Sequence, residues 1–260
     1  MTPKLFDLTG KVALVTGGNG GIGLGMADAL ASCGADVAIW GTNEGKNAKA
    51  KEQLEAHGKR VLAQRVDVSD EAAVDAAVAE IIANFGRIDT AIANAGIGGP
   101  SKRIPDLSTK EWHDVLAINL DGVFYTLRAV TRTMIERCEK GDTGGSLAVV
   151  SSLAAIEASG RYPAYSAAKA GINAMIRGLA AEYGHHGIRA NAILPGWIAT
   201  DMTATGQSND KVNAFIKARV PMGRWGDAAD FGGIAVYLSS DASAYHSGDT
   251  LLIDGAYAVY

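Results

Sequence analysis

The sequence predicts an α/β protein: a doubly wound sheet of about seven parallel strands with helices on both faces. Three observations predict it. Short apolar runs alternate with longer segments of helical periodicity from one end of the chain to the other, as in a parallel sheet with crossover helices. The first apolar run ends in a glycine cluster, TGGNGGIG at 16–23, and a helical pattern begins at once. No linker, repeat or low-complexity stretch interrupts the alternation, which predicts one domain over 1–260. Right-handed crossovers then wind the sheet outward in two directions.

The strands are expected in this order: KVALVT (11–16), DVAIW (36–40), RVLAQRV (60–66), DTAIANA (89–95), SLAVVSS (146–152), IRANAIL (188–194) and DTLLID (249–254). Helical periodicity fills the intervals at about 22–33, 45–57, 70–84, 109–138, 163–186 and 227–239. Residues 196–220, small and polar after Pro195-Gly196, form the least regular stretch. Ligands of such sheets sit outside the carboxyl ends of the strands, so this segment is a candidate substrate lid.

Composition narrows the function classes. Hydrophobic residues make up 48% of the 260, enough for a sizeable core. The net charge of −4 and the absence of a Lys/Arg cluster speak against a nucleic-acid partner. Two cysteines, Cys33 and Cys138, are too few for a disulfide framework and suggest a reducing compartment. MTPKLFDLTGK has no apolar run of signal length, and no stretch approaches the ~20 apolar residues of a membrane span, so a cytoplasmic location is expected. His185 and His186 end a helix with no third ligand nearby in sequence, and no metal site is predicted.

The glycine cluster carries chemistry. In Gly17-x3-Gly21-x-Gly23 the chain turns sharply from strand to helix, and the free N–H groups and dipole at the helix start favour a phosphate. Strand before, helix after and first position in the chain point to a dinucleotide. The adenosine ribose is read near the end of the second strand, in IWGTNEGK. Gly41 and Thr42 stand where Asp would favour NAD or Arg would favour NADP, and Gly20 is not basic. Lys46 is a cation that could reach a 2′-phosphate from the next helix. The missing charges lean to NAD and leave NADP open. Asp67 follows the third strand; Ser69 or Asp70 can cap the next helix, which frees Asp67 for an adenine amino group. Asn94 ties the turn after the fourth strand, and Gly96 lets a ribose pass close to the main chain.

A second constellation lies in YPAYSAAKAG, 162–171. Pro163 suits the first position of a helix. Tyr165 and Lys169 are then neighbours on one face, whereas Tyr162 lies about 10 Å of rise from Lys169. A phenol titrates near ~10, and an ammonium within ~4–6 Å lowers that value. Tyr165 is therefore the candidate acid/base. Ser151 and Ser152 end the fifth strand, and the next helix brings its first turn close to them. Ser152 is placed to hydrogen-bond a substrate oxygen, and Ser151 to point away.

TGGNGGIG, ANAG, Asn119 in INLDG, VVSS, YSAAK and PGWIATDM occur here in the order and spacing of the short-chain dehydrogenases/reductases, which the chain resembles from the first strand to LLIDG at 251–255. The resemblance implies a Rossmann-like sheet and hydride transfer with NAD or NADP. It implies that Ser152 orients substrate, Tyr165 is the acid/base, Lys169 lowers its pKa and binds the nicotinamide ribose, and Asn119 holds a water of the proton relay. The implied cofactor contacts are Gly17, Asn19, Gly21, Ile22 and Gly23, then Thr42, Asp67 and Val68, then Asn94, Ala95 and Gly96, with Tyr165 and Lys169. Pro195, Ile198 and Thr200 complete them, with Ile198 at the carboxamide and Thr200 near the nicotinamide end. Helices at 109–138 and 163–186 resemble those that pair subunits in family tetramers. DGAY at 254–257 and HSGD at 246–249 depart from common family forms.

Around the site, Trp197 is a candidate substrate contact, and Glu157, Arg161, Lys102 and Arg103 are charges within reach of it. The expected activity is interconversion of a secondary alcohol and a ketone, on a polyol, sugar or cyclic alcohol. The alternatives are a 3-oxoacyl thioester reductase using NADPH and a non-catalytic dinucleotide-binding regulator.

Overall fold

A computed structural model describes residues 3–157 and 160–260. Seven parallel strands form one sheet in the order β3-β2-β1-β4-β5-β6-β7. They are β1 Val12–Thr16, β2 Asp36–Gly41, β3 Val61–Arg65, β4 Thr90–Ala93, β5 Gly145–Val150, β6 Ile188–Pro195 and β7 Thr250–Ile253. The order reverses between β1 and β4, and ligands of such sheets bind at this switch. Here the two strand ends are stitched together. Thr16 Oγ1 accepts from the amides of Asn94 and Ala95, at 2.9 Å each, and Asn94 Nδ2 donates to the carbonyls of Thr16 and Gly17.

Strand alternation builds a core on each face. Val12 and Leu14 pack with Val74, Ile81, Val130 and Ile172 on one side. Ala13 and Val15 pack with Met26, Leu30, Phe231 and Ala235 on the other. The covering helices are α1 Gly21–Ser32, α2 Glu44–Glu55, α3 Glu71–Phe85, α4 Thr109–Leu116, α5 Gly122–Glu139, α6 Pro163–Tyr183, α7 Ala204–Gln207, α8 Asp210–Arg219 and α9 Gly232–Ser239. None is long and apolar enough to cross a membrane.

Two expectations are corrected. The single helix over 109–138 is interrupted by a π-helical turn, Ala117–Asp121, between α4 and α5. Asn119 lies inside it, fully buried, and donates from Nδ2 to the carbonyls of Val115 and Ile97 at 2.9 Å each. Such turns widen a helix locally and recur at functional sites. The second correction concerns 196–220, which is not irregular. It holds a 3₁₀ turn (Asp201–Thr203), α7 and α8. Asn209 caps α8 by accepting from Lys211 and Val212, and Ile216 buries its one deep anchor. With so little apolar surface, α8 has no clear periodicity in sequence.

Candidate active site

The site begins at the turn from β1 into α1. Gly17 adopts φ +63, and a Cβ on it would lie 2.9 Å from Asn94 Nδ2. A Cβ on Gly23 would fall 2.3 Å from the Gly17 carbonyl. The turn closes only with glycine at both places. Asn43, Asp70, Ser108 and Asn209 cap α2, α3, α4 and α8 with their side chains. No side chain caps α1, and no acidic residue stands in its first turn. Its first amides therefore remain available to an anion, as a dinucleotide requires. Thr200 reaches this turn from the far bank: its Cγ2 is 3.2 Å from where a Cβ of Gly21 would lie. Ile198, buried behind it, is held by a bridge to Gly226.

Toward the adenosine side, Asp67 does not cap α3. Asp70 does, accepting from the Ala73 amide at 3.1 Å, while Asp67 Oδ1 accepts from the amide and hydroxyl of Ser69. Its other oxygen has no protein partner among the described residues. Val68 is buried against Gly122, and the Thr42 carbonyl accepts from Arg65 Nε at 3.4 Å.

Toward the reactive side, the ends of β4 and β5 meet α6. Lys169 is turned inward and almost fully buried; its Nζ donates to the Val150 carbonyl at 2.8 Å and stands 5.5 Å from the Tyr165 ring centroid. Ser151 points away from the groove and donates to the Lys169 carbonyl at 3.1 Å, which pins α6 to the strand end. A Cβ at Gly96 would lie 2.7 Å from Asn119 Oδ1 and 3.5 Å from Lys169 Nζ, so these three residues meet. Both Asn119 donors are spent on backbone carbonyls, and Oδ1 accepts from the Ile97 amide at 3.3 Å. The side chain therefore fixes the turn around the site.

Burial lowers the Lys169 ammonium from its ordinary value to about 8. Burial raises the Tyr165 phenol, and a hydrogen-bonding contact from Ser152 works against that rise. The expectation of a phenol already lowered by the lysine is thus corrected for the protein alone. Removal of water outweighs the amine, which meets the ring face and gives its hydrogen bond to Val150. Tyr162 sits at the rim, half-exposed, with its carbonyl accepting from the Ser166 amide.

A shallow recess beside Tyr165 is lined by Gly98, Gly99, Pro100, Leu107, Tyr162 and Pro163. Residues 98–100 were not foreseen as walls of the site; the run GIGGP after ANAG was the available signal. Trp197 packs edge-on against Trp225 and Tyr257 and, with Ile198, lines a cavity of about 430 Å³. Of the nearby charges, Lys102 pairs with Glu111 at 2.5 Å and Arg103 with Asp106 at 2.8 Å. Arg161 has φ +118, its carbonyl accepts from the Lys102 amide, and no carboxylate partners it among the described residues.

A family model described as enoyl-(acyl carrier protein) reductase matches residues 17–258. Gluconate 5-dehydrogenase of Gluconobacter oxydans (strain 621H) is 38% identical over 259 residues, covering 99% of this chain and 98% of that protein. The chain belongs to the short-chain dehydrogenase/reductase family. This short-chain dehydrogenase/reductase is similar also to a 3-oxoacyl-(acyl-carrier-protein) reductase of Chlamydia muridarum (strain MoPn / Nigg), 39% identical over 253 residues, with 96% and 98% of the two chains covered. The crystal structure of a gluconate 5-dehydrogenase from Burkholderia cenocepacia J2315, in complex with NADP and tartrate, superposes with a TM-score of 0.92 at 32% identity, covering 99% of this chain and 98% of that one. As a member of the family, the protein is an NAD(P)-dependent oxidoreductase that acts on CH–OH groups and interconverts a secondary alcohol and a ketone by hydride transfer.

Proposed function

We propose that the substrate is a sugar acid, oxidised or reduced at a carbon–oxygen bond held between Ser152 and Tyr165. The observation that carries the chemistry is the convergence of Ser152, Tyr165 and a buried, inward-facing Lys169 at the end of β5. The sugar-acid reading is supported by relatives named for gluconate and by Arg161, a cation without a carboxylate partner among the described residues, on the loop that leads to Tyr165. Arg161 would meet the carboxylate of the substrate.

When bound at the strand ends, NAD(P) supplies the hydride acceptor or donor. Gly17, Asn19, Gly21, Ile22 and Gly23 would hold its phosphates, and Thr42, Asp67 and Val68 the adenosine. Asn94, Ala95, Gly96, Pro195, Ile198 and Thr200 would hold the remainder, with Tyr165 and Lys169 at the nicotinamide ribose. Ser152 donates a hydrogen bond to the substrate oxygen and steadies charge on it. Tyr165 takes the hydroxyl proton in oxidation and returns it in reduction. Below about 8 Lys169 is an ammonium, and its charge favours the phenolate form of Tyr165. Asn119 holds the π-helical turn beside Lys169, where a water would carry the proton to solvent. The segment 196–220 serves as lid over the site. The protein works in the cytoplasm as a homotetramer with NAD preferred, the location by the low cysteine count, the tetramer by likeness to the family and the cofactor by the neutral residues Gly41 and Thr42.

A panel of gluconate, other sugar acids, neutral polyols and a 3-oxoacyl thioester, run with both cofactors, tests this. Turnover is expected for sugar acids, with KM rising roughly tenfold or more in Arg161→Gln, the size expected for a lost charged hydrogen bond. A clear preference for the thioester with NADPH would move the assignment to the second reading, which the Chlamydia relative supports. Binding of cofactor with no turnover across the panel would leave a regulator.

A further inference from the structure

The bank of the groove at the end of β2 carries no charge of its own: Gly41 and Thr42 follow one another there. Asn19 lies over Gly41, so that a Cβ on Gly41 would fall 2.0 Å from Asn19 Nδ2. Asn47, buried in α2, keeps it there. Asn47 Oδ1 accepts from Asn19 Nδ2 at 2.7 Å, while Asn47 Nδ2 donates to the carbonyls of Gly41 and Gln64. Two cations stand nearby, and each already faces a carboxylate. Arg65 Nε is 3.8 Å from Glu44. Lys46 Nζ is 2.6 Å from Asp201 Oδ2.

The second pair crosses the groove. Lys46 is in the first turn of α2, where Asn43 Oδ1 accepts from its amide. Asp201 is in the 3₁₀ turn that follows Thr200, on the opposite bank. Both side chains are exposed, 53% for Lys46 and 89% for Asp201, so a ligand charge is free to compete for either. The lysine holds the Asp201 carboxyl below its ordinary value, which agrees with a formed pair. A phosphate monoester near this bank would carry about −1.5 to −2 of charge. It would want Lys46 and would repel Asp201.

We propose that Asp201 is a specificity-determining residue: by holding Lys46 it withholds an ammonium that would meet a 2′-phosphate, and so favours NAD over NADP. The idea rests on the reading of this bank as the adenosine-ribose site. It makes selection at the ribose depend on a residue of the candidate lid, 155 positions further along the chain.

The test is fluorescence titration of the full-length protein with NADH and with NADPH at fixed ionic strength. Asp201→Asn should tighten NADPH roughly fivefold and change NADH less than twofold, the scale of an exposed ion pair. The double variant Asp201→Asn/Lys46→Gln should return the ratio of the two affinities to that of the unaltered protein. An unchanged ratio in Asp201→Asn, an equal change for both cofactors, or a gain that survives in the double variant would each overturn the proposal. Failure of the unaltered protein to bind either dinucleotide would sink the site itself, a result separate from these.

Discussion

The two ends of the groove differ in material. Where β4, β5 and α6 meet, Lys169, Asn119 and Ser151 are buried, and each spends its hydrogen bonds on backbone. At the end of β2 the charged groups are exposed and pair with one another across the groove or along it. A buried polar group that loses its partner is costly, so the first arrangement tolerates little change. An exposed ion pair is worth little, so the second can be exchanged at small cost to the fold. On the function proposed above, reaction type would rest on the first end and cofactor preference on the second.

The comparison can be broken most sharply at the buried end. Tyr165→Phe should lower turnover roughly 10²–10⁴-fold, the range for a positioned proton donor, while cofactor titration stays normal. Survival of turnover would remove Tyr165 from the mechanism. In the unaltered protein, oxidation should rise with pH, because Tyr165 has to lose a proton to act, and ketone reduction should fall; opposite slopes in the two pH–rate profiles check this.

Gly23→Ala comes next. Its Cβ would lie 2.3 Å from the Gly17 carbonyl and 2.5 Å from Asn94 Nδ2, so the turn has to move. Cofactor affinity should drop about 100-fold or more, the cost of overpacking plus lost phosphate contacts. Dissociation constants would show it, with circular dichroism to confirm that the chain still folds.

Lys169→Met separates chemistry from stability. Burial lowers the folded-state pKa from 10.5 to about 8, so holding the ammonium inside costs about 3 kcal/mol at pH 7. That cost is fully present below about 8. It disappears as pH rises toward 10.5, because the folded group is then neutral while the unfolded one is still protonated. The inactive variant should therefore melt a few degrees higher than the unaltered protein at pH 7. The gap should close between about 8 and 10.5. A variant that melts lower at pH 7 and keeps the same gap across that window would show that Lys169 supports the fold chiefly through its bond to Val150.

The smallest effect is at the rim. Tyr162→Phe should leave kcat/KM within about twofold, since that side chain is half-exposed at the rim.

Much of this was legible beforehand, because period and punctuation are local properties. All seven strands lie within a few residues of their apolar runs, the glycine cluster joins β1 to α1, and Lys169 on α6 is turned toward the end of β5. The broken helix at Ala117–Asp121 was not legible, and Asn119 within it bonds to Ile97 in another segment, a contact that no local period announces. The irregular reading of 196–220 failed for a related reason: α8 is held by a cap and one buried isoleucine more than by a periodic face. The packing of Trp197 against Trp225 and Tyr257 was not legible either, because it joins separate segments of the chain.

The sequence alone determined the seven strands, the doubly wound class, the place of the glycine turn and the sharing of one helical face by Tyr165 and Lys169. These rest on spacing along the chain, which hydrophobic period and helix rise convert directly into position. Only the tertiary structure decided that Lys169 is dry, that Arg161 lacks a carboxylate among the described residues while Lys102 and Arg103 have one, and that Lys46 reaches Asp201. Solvent exposure and charge pairing depend on which distant segments come together, and no local pattern encodes that.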